Sequence, residues 1–236
     1  MSIKKIFSPA ASIISLIIFI FYLITNSNAE DNNSKYYSKD EGIVSIMYHR
    51  FNENKYPSTN IKIDIFKKHL QIIKDSNLNF LNPKNLENDF MTPKKSKKIL
   101  ITIDDGFKSF YEEAWPILKK DRIPFILFVS TDPVGKNGYM TWEEIKEIDQ
   151  SEIGHIGHHS HTHEYLIDMT EKEFVHDIEK ATKIFKRELG YVPSIFSYPF
   201  GEYSLFMKNY ISKNFEFDNL SSRSLYIFLE ILRIKA

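Results

Sequence analysis

Thr102-Ile103-Asp104-Asp105-Gly106 places two adjacent carboxylates at the end of an apolar run, and His159-Ser160-His161-Thr162-His163 follows with histidines spaced i, i+4. A divalent cation such as zinc takes imidazole nitrogen and carboxylate oxygen, and a catalytic site keeps one position open for water. The chemistry these residues suit is hydrolysis assisted by a single metal ion. Adjacent residues of a strand point to opposite faces, so both carboxylates converge only if the strand has already broken into a turn. Gly106 permits that turn. Two carboxylates so close do not normally both ionise, but a bound cation reverses that logic and leaves one Asp free to accept a proton. Five of the eight histidines fall between His155 and His163. Spacing alone does not choose the ligands, because His155 and His159 are also i, i+4. A lone Asp-Asp-Gly is most often a plain turn, and a lone HxxxH a chance spacing on a solvated surface.

Short apolar runs that alternate with helical patterns must position these groups. Ile43 to Met47, Ile99 to Ile103, Phe125 to Ser130, Ile153 to Gly157 and Ser194 to Tyr198 read as strands. Asp64 opens a helix over Ile65 to Asp75, and Ser109 to Lys120 is helical with a bend at Pro116. Thr141-Trp142-Glu143-Glu144 and Thr170-Glu171-Lys172-Glu173 are capping boxes. The second opens a helix that turns Phe174, Ile178, Ala181, Phe185 and Leu189 inward and stops at Gly190. Leu205 to Phe215 reads as a further helix leading to a strand around Phe215-Glu216-Phe217. Strand–helix alternation argues for a parallel α/β architecture. The motifs fall at carboxyl ends of strands, where α/β barrels keep their chemistry, so the expected fold is a distorted, incomplete (β/α) barrel.

At this point the chain resembles the polysaccharide deacetylases of the NodB-homology class, carbohydrate esterase family 4. The family's first motif matches Thr102 to Asp105, its second matches His159 to His163, and its third, an aromatic segment ending in P-[YF]-G, matches Phe196-Ser197-Tyr198-Pro199-Phe200-Gly201. The resemblance runs from about Ile43 to Gly201 and selects His159 and His163 over His155. It implies one divalent metal held by Asp105, His159 and His163, with zinc expected and cobalt, nickel or iron also suited. It implies Asp104 as catalytic base. Tyr198, Pro199 and Phe200 would line the acetyl pocket, with the Phe200 N–H holding the oxyanion. Ser197 stands where many members carry an Arg that pairs with the base. Met47-Tyr48-His49-Arg50 closes the opening strand, as in the branch that acts on poly-N-acetylglucosamine. There a His from that strand supplies the general acid, which points to His49, since no histidine follows His176.

The 236 residues suit one domain behind an export segment. Lys4 and Lys5 precede the apolar stretch Ile6 to Ile24, and Ser27-Asn28-Ala29 offers a cleavage site. Residues 1–29 are therefore expected to be a signal peptide, with an uncleaved membrane anchor as the rival, and residues 30–42 a linker. The catalytic part, residues 43–218, would work outside the cytoplasm, in the periplasm, at the cell surface or beyond it. The 31 basic and 31 acidic residues balance, which gives no sign of a nucleic-acid partner. Cysteine is absent, excluding a disulfide framework and a thiolate metal site.

The expected activity is metal-dependent removal of N-acetyl groups from an N-acetylated polysaccharide, hydrolysis of a carbon–nitrogen bond that is not a peptide bond. Two rival readings are a non-catalytic carbohydrate-binding relic and a metal-binding surface protein. Residues 219–236 depart from the family pattern and read as a truncated end. The apolar run Leu225 to Ile234 is expected to pack there as a helix.

Overall fold

A computed structural model of the chain describes residues 42–76, 78–86 and 97–214. The expected signal segment, the strand around Phe215–Phe217 and the tail helix lie outside the described residues. Among those described, no helix is long and apolar enough to cross a membrane.

The sheet is parallel and centred on β5 (Lys97–Ile103). Its run Ile99 to Ile103 is buried throughout, as a continuous apolar strand must be when both faces are covered. β1 (Gly42–Tyr48) pairs along one edge of β5, with Tyr48 opposite Ile103. The other edge is shared: β4 (Asn79–Phe80) pairs with its beginning and β6 (Phe125–Val129) with its end. β7 (Gly154–His158) lies outside β6. A short parallel pair, β2 (Arg50–Phe51) and β3 (Asn60–Ile61), stands apart. The sheet does not close on itself among the described residues, so the α/β fold is an incomplete barrel.

Close strand packing depends on one glycine. A Cβ at Gly157 would overlap the ring of Phe128, which is almost fully buried on the neighbouring strand. Only a residue without a side chain lets β6 and β7 pair with Phe128 inside.

Helices cover the sheet, and their ends show where sequence reading and structure part. α1 runs Ile63–Asp75, two residues earlier than expected. Asp64 does not cap it but sits in its first turn, where a carboxylate favours the helix dipole. The free N–H of Ile63 is satisfied from a distance by Asn52 Oδ1, at 3.0 Å. The expected helix from Ser109 is a π-helical turn, Phe110–Ala114, followed by α2 (Trp115–Asp121). Pro116 therefore falls in the first turn of α2, where its missing N–H costs nothing. α3 (Trp142–Asp149) and α4 (Glu171–Leu189) carry the two capping boxes as expected, and Gly190 ends α4 in the left-handed conformation. Phe174, Ile178, Ala181 and Phe185 are buried, and α5 (Leu205–Asn214) adds Met207 and Ile211 to the cluster around Phe174.

The expected strand Ser194 to Tyr198 is reduced to one bridge, between Phe196 and His158. His158 donates to the Ile195 carbonyl (2.8 Å) and Ser197 donates to the His158 carbonyl (3.0 Å). Pro193 and Pro199 flank this contact and supply no N–H to extend it.

Candidate active site

The Asp pair begins where β5 stops. Asp104 still donates its backbone N–H to the Tyr48 carbonyl, at 2.9 Å, which locks it to the end of β1. Asp105 and Gly106 then take positive φ in succession, 75° and 72°. This left-handed break breaks the strand's alternation and lets neighbouring carboxylates serve one site. Met140 N–H, donating to the Gly106 carbonyl at 2.9 Å, holds the turn from the side. Both carboxylates are buried.

The histidine loop is braced from two directions. His159 donates its backbone N–H to Val129 (3.0 Å), and Ser130 Oγ donates to the His159 carbonyl (2.6 Å). From α4, the buried Asp177 accepts from the N–H groups of His161 (2.7 Å) and Thr162 (3.0 Å) and from the Thr162 hydroxyl (2.7 Å). Ser160 and His163 are left-handed, at φ 67° and 61°. Together with Asp105 and Phe200, they are four of the six non-glycine residues described with positive φ. Such conformations persist only where their surroundings over-determine them.

This brings His163 Nε2 to 2.8 Å and His159 Nε2 to 3.4 Å from Asp105 Oδ1. The other nitrogen of His159, Nδ1, lies 2.8 Å from the Ser197 carbonyl. A carbonyl only accepts, so Nδ1 carries a proton and fixes the ring with Nε2 facing Asp105. Burial pushes the Asp105 carboxyl up, yet the hydrogen bonds and charges of His159 and His163 outweigh it and hold it well below the ordinary carboxylate range. Burial likewise pushes the His159 imidazole down, while Asp105 and Asp104 pull it above its usual value. Oδ1 of Asp105 is buried with the Nε2 atoms of both rings crowded around it. One ligand atom from each of Asp105, His159 and His163 lies within 4.8 Å of the others, a donor set and spacing that fit a small divalent cation.

The remaining histidines of the cluster face elsewhere. His158 is buried between the rings of Phe185 and Phe196, its Nδ1 accepting from the Ser160 N–H. His161 Nδ1 pairs with the Thr131 hydroxyl at 2.8 Å. The pair His155–His159 that spacing left open forms no such group among the described residues.

A cleft of about 320 Å³ opens over these groups, and Asp104, Asp105, His159 and His163 line it. His49 leaves the end of β1, beside Asp104, and also lines the cleft. Tyr198 and Phe200 form part of its wall, whereas Pro199 is buried behind them in the short 3-10 turn Pro199–Gly201. Three contributors escaped sequence reasoning: Asp177, the Ser197 carbonyl, and Tyr165, which lines the cleft beside Phe200. Asp177 left a signal, a carboxylate on the otherwise apolar face of α4, since such a group is buried only when its hydrogen bonds are met.

The chain has recognisable relatives among known proteins. The family model described as "Polysaccharide deacetylase" matches residues 92–215. YxkH of Bacillus subtilis strain 168, which bears the family's name, is 28% identical over 179 residues, covering 74% of this chain and 63% of its own length. The match thus spans less than two thirds of that relative. A poly-beta-1,6-N-acetyl-D-glucosamine N-deacetylase of Staphylococcus aureus is 23% identical, over 74% of this chain and 70% of the relative. Among solved structures, IcaB from Ammonifex degensii superposes with a TM-score of 0.68 at 29% identity, covering 75% of this chain and 82% of that one. The Streptococcus pyogenes deacetylase PplD shares the fold, with a TM-score of 0.65 at 23% identity over 72% and 79% of the two chains. These structures share the chain's parallel, open α/β architecture, and the chain belongs to the polysaccharide deacetylase family.

Proposed function

We propose that this protein is a metal-dependent polysaccharide N-deacetylase, and that Asp105, His159 and His163 hold its metal. The observation that carries the reading is the convergence of those three donors, His159 buried and His163 partly exposed, on the floor of an open cleft. A divalent cation bound there would polarise the acetamide carbonyl and make water a stronger acid, and zinc, cobalt, nickel or iron suits the donor set. Asp104, adjacent to the ligands but not among them, accepts a proton from the attacking water. The backbone N–H of Phe200 donates to the oxygen on which negative charge develops. His49, on the facing strand end, gives a proton to the departing amine, without which nitrogen is a poor leaving group. Tyr198 shapes the acetyl pocket and Pro199 supports it from behind. Products are acetate and a free amino sugar.

The substrate class is an N-acetylhexosamine polymer, with β-1,6-linked poly-N-acetylglucosamine first. That choice is supported by the likeness to IcaB and to the staphylococcal enzyme, and by the His at the end of the opening strand. Peptidoglycan and chitin-like oligomers rank behind it. Such polymers lie outside the cytoplasm, in keeping with the expected export segment. Acetate release by the purified protein on these three glycans, with and without chelator, tests the reading. Release that chelator abolishes and added metal restores is expected. Release indifferent to chelator contradicts the metal assignment, and metal-loaded protein that binds glycan without releasing acetate is the carbohydrate-binding relic.

A further inference from the structure

One wall of the cleft carries an aromatic side-chain stack that the proposed catalytic roles do not use. Tyr165 and Phe200 stack face to face at its mouth, their centroids 3.8 Å apart and planes 5° from parallel. Both are conspicuously exposed for aromatic residues, at 48% and 44%. Phe200 holds this place with φ 58°, which a bulky residue adopts only under constraint. Its ring packs in turn against the edge of His163, at 5.0 Å, so the stack steps outward from the candidate metal ligands. Phe200 covers one face of the Tyr165 ring, and about half of the residue remains exposed.

The cleft lining also includes Ser58, Thr59 and Asn60. Asn60 Oδ1 accepts from the Glu53 N–H at 2.7 Å, which leaves its NH₂ as the group able to donate outward. The segment is anchored: the Arg50 guanidinium lies 4.0 Å from the Tyr56 ring and 3.3 Å from the Phe107 ring, and pairs with Glu53 at 2.8 Å. The lining thus combines a stacked aromatic surface with hydroxyl and amide groups. A pyranose ring has matching sides, an apolar C–H face and a rim of hydroxyls. Sites for such ligands combine apolar surface with a few placed polar groups.

We infer that Tyr165, stacked on Phe200, is a sugar-binding platform for an N-acetylhexosamine unit next to the one being deacetylated, with Ser58 to Asn60 addressing its hydroxyls. The inference deepens the deacetylase reading and rests on it for the identity of the sugar. It makes the protein selective for oligomers over single sugars. The platform residue acts on binding, not on the chemical step, because Tyr165 is not among the groups placed around the reacting acetamide.

The test compares native protein with Tyr165→Ala and Tyr165→Phe. Three probes are used: a β-1,6-linked N-acetylglucosamine pentamer, N-acetylglucosamine itself, and a small aryl acetate ester that carries no sugar. Binding of the two sugars is read by calorimetric titration, and turnover as acetate release. Tyr165→Ala is expected to raise Kd and KM for the pentamer about tenfold, the scale of one lost aromatic contact. Its kcat on the pentamer and its turnover of the ester should stay within about twofold, while Tyr165→Phe keeps native values. Unchanged pentamer binding by Tyr165→Ala overturns the platform. So does an equal loss on pentamer and ester, which would mean that Tyr165 merely supports Phe200. If native protein binds the pentamer but releases no acetate from it, the deacetylase reading fails, and the Kd values still decide the platform.

Discussion

The floor of the cleft and its walls are built by different means. The floor stands on buried strand ends: Asp104 is tied to β1, His159 to β6, and the loop between His159 and His163 to the Asp177 carboxylate. The walls stand on irregular segments, residues 52–60, 196–203 and the stretch around Tyr165, fixed by ring stacking, proline and isolated hydrogen bonds. The groups proposed to hold a metal sit on the strand ends. The groups proposed to select a glycan sit where substitution and insertion are tolerated. Changes to the floor should therefore abolish metal binding or turnover, whereas changes to the walls should shift affinity.

The largest effect is expected within the floor itself. His163→Ala should lose the metal and all turnover, while Asp104→Asn should keep the metal and lose turnover by about 10²- to 10⁴-fold. Elemental analysis beside acetate release separates the two. His49→Ala should resemble Asp104→Asn, with full metal content and slow amine expulsion. A metal-replete, inactive His163→Ala protein would place the ligand elsewhere.

Next comes the brace. Asp177→Ala leaves the N–H groups of His161 and Thr162 without their acceptor, and metal affinity should fall about 10- to 100-fold as the histidine loop loosens. A chelator competition measures it. Native affinity in this variant would show that β6 alone fixes the loop, and would narrow the contrast between floor and walls.

Gly157→Ala tests the floor through packing alone. The added methyl overlaps the Phe128 ring, and the fold should lose about 1–3 kcal/mol by thermal or urea unfolding. An unaffected melting temperature would mean that Phe128 has room to move.

A smaller effect concerns acid. Burial lowers His69, paired with the Tyr48 hydroxyl, from 6.5 to about 4. Between those values the unfolded chain takes up the proton and the folded chain does not. The stability from keeping His69 neutral is thus present above about pH 6.5 and is lost as the pH falls toward 4. Melting curves at pH 7 and pH 5 should show a steeper acid loss for native protein than for His69→Gln; equal slopes would remove His69 from the account.

The α/β fold and the ends of its long strands were legible in the sequence, because continuous apolar runs and two capping boxes act locally. The walls were not. Nothing near Ile63 indicates that Asn52 will cap its helix, since that contact exists only after folding. The run from Ser194 to Tyr198 reads as a strand, yet the flanking prolines limit it to one bridge. Tyr165 carried no motif at all, and only the fold lays its ring on Phe200. Asp177 lay between the two cases, visible as an anomaly in a pattern but not as a partner of the histidine loop.

The central claim is that one metal ion on Asp105, His159 and His163 makes this cleft a deacetylase. Titrating zinc into chelator-stripped protein, while following acetate release from β-1,6-linked poly-N-acetylglucosamine, tests it most directly. Activity should rise from zero and level off at one equivalent per chain. Release that persists in the stripped protein, or that stays absent once one equivalent is bound, would contradict it.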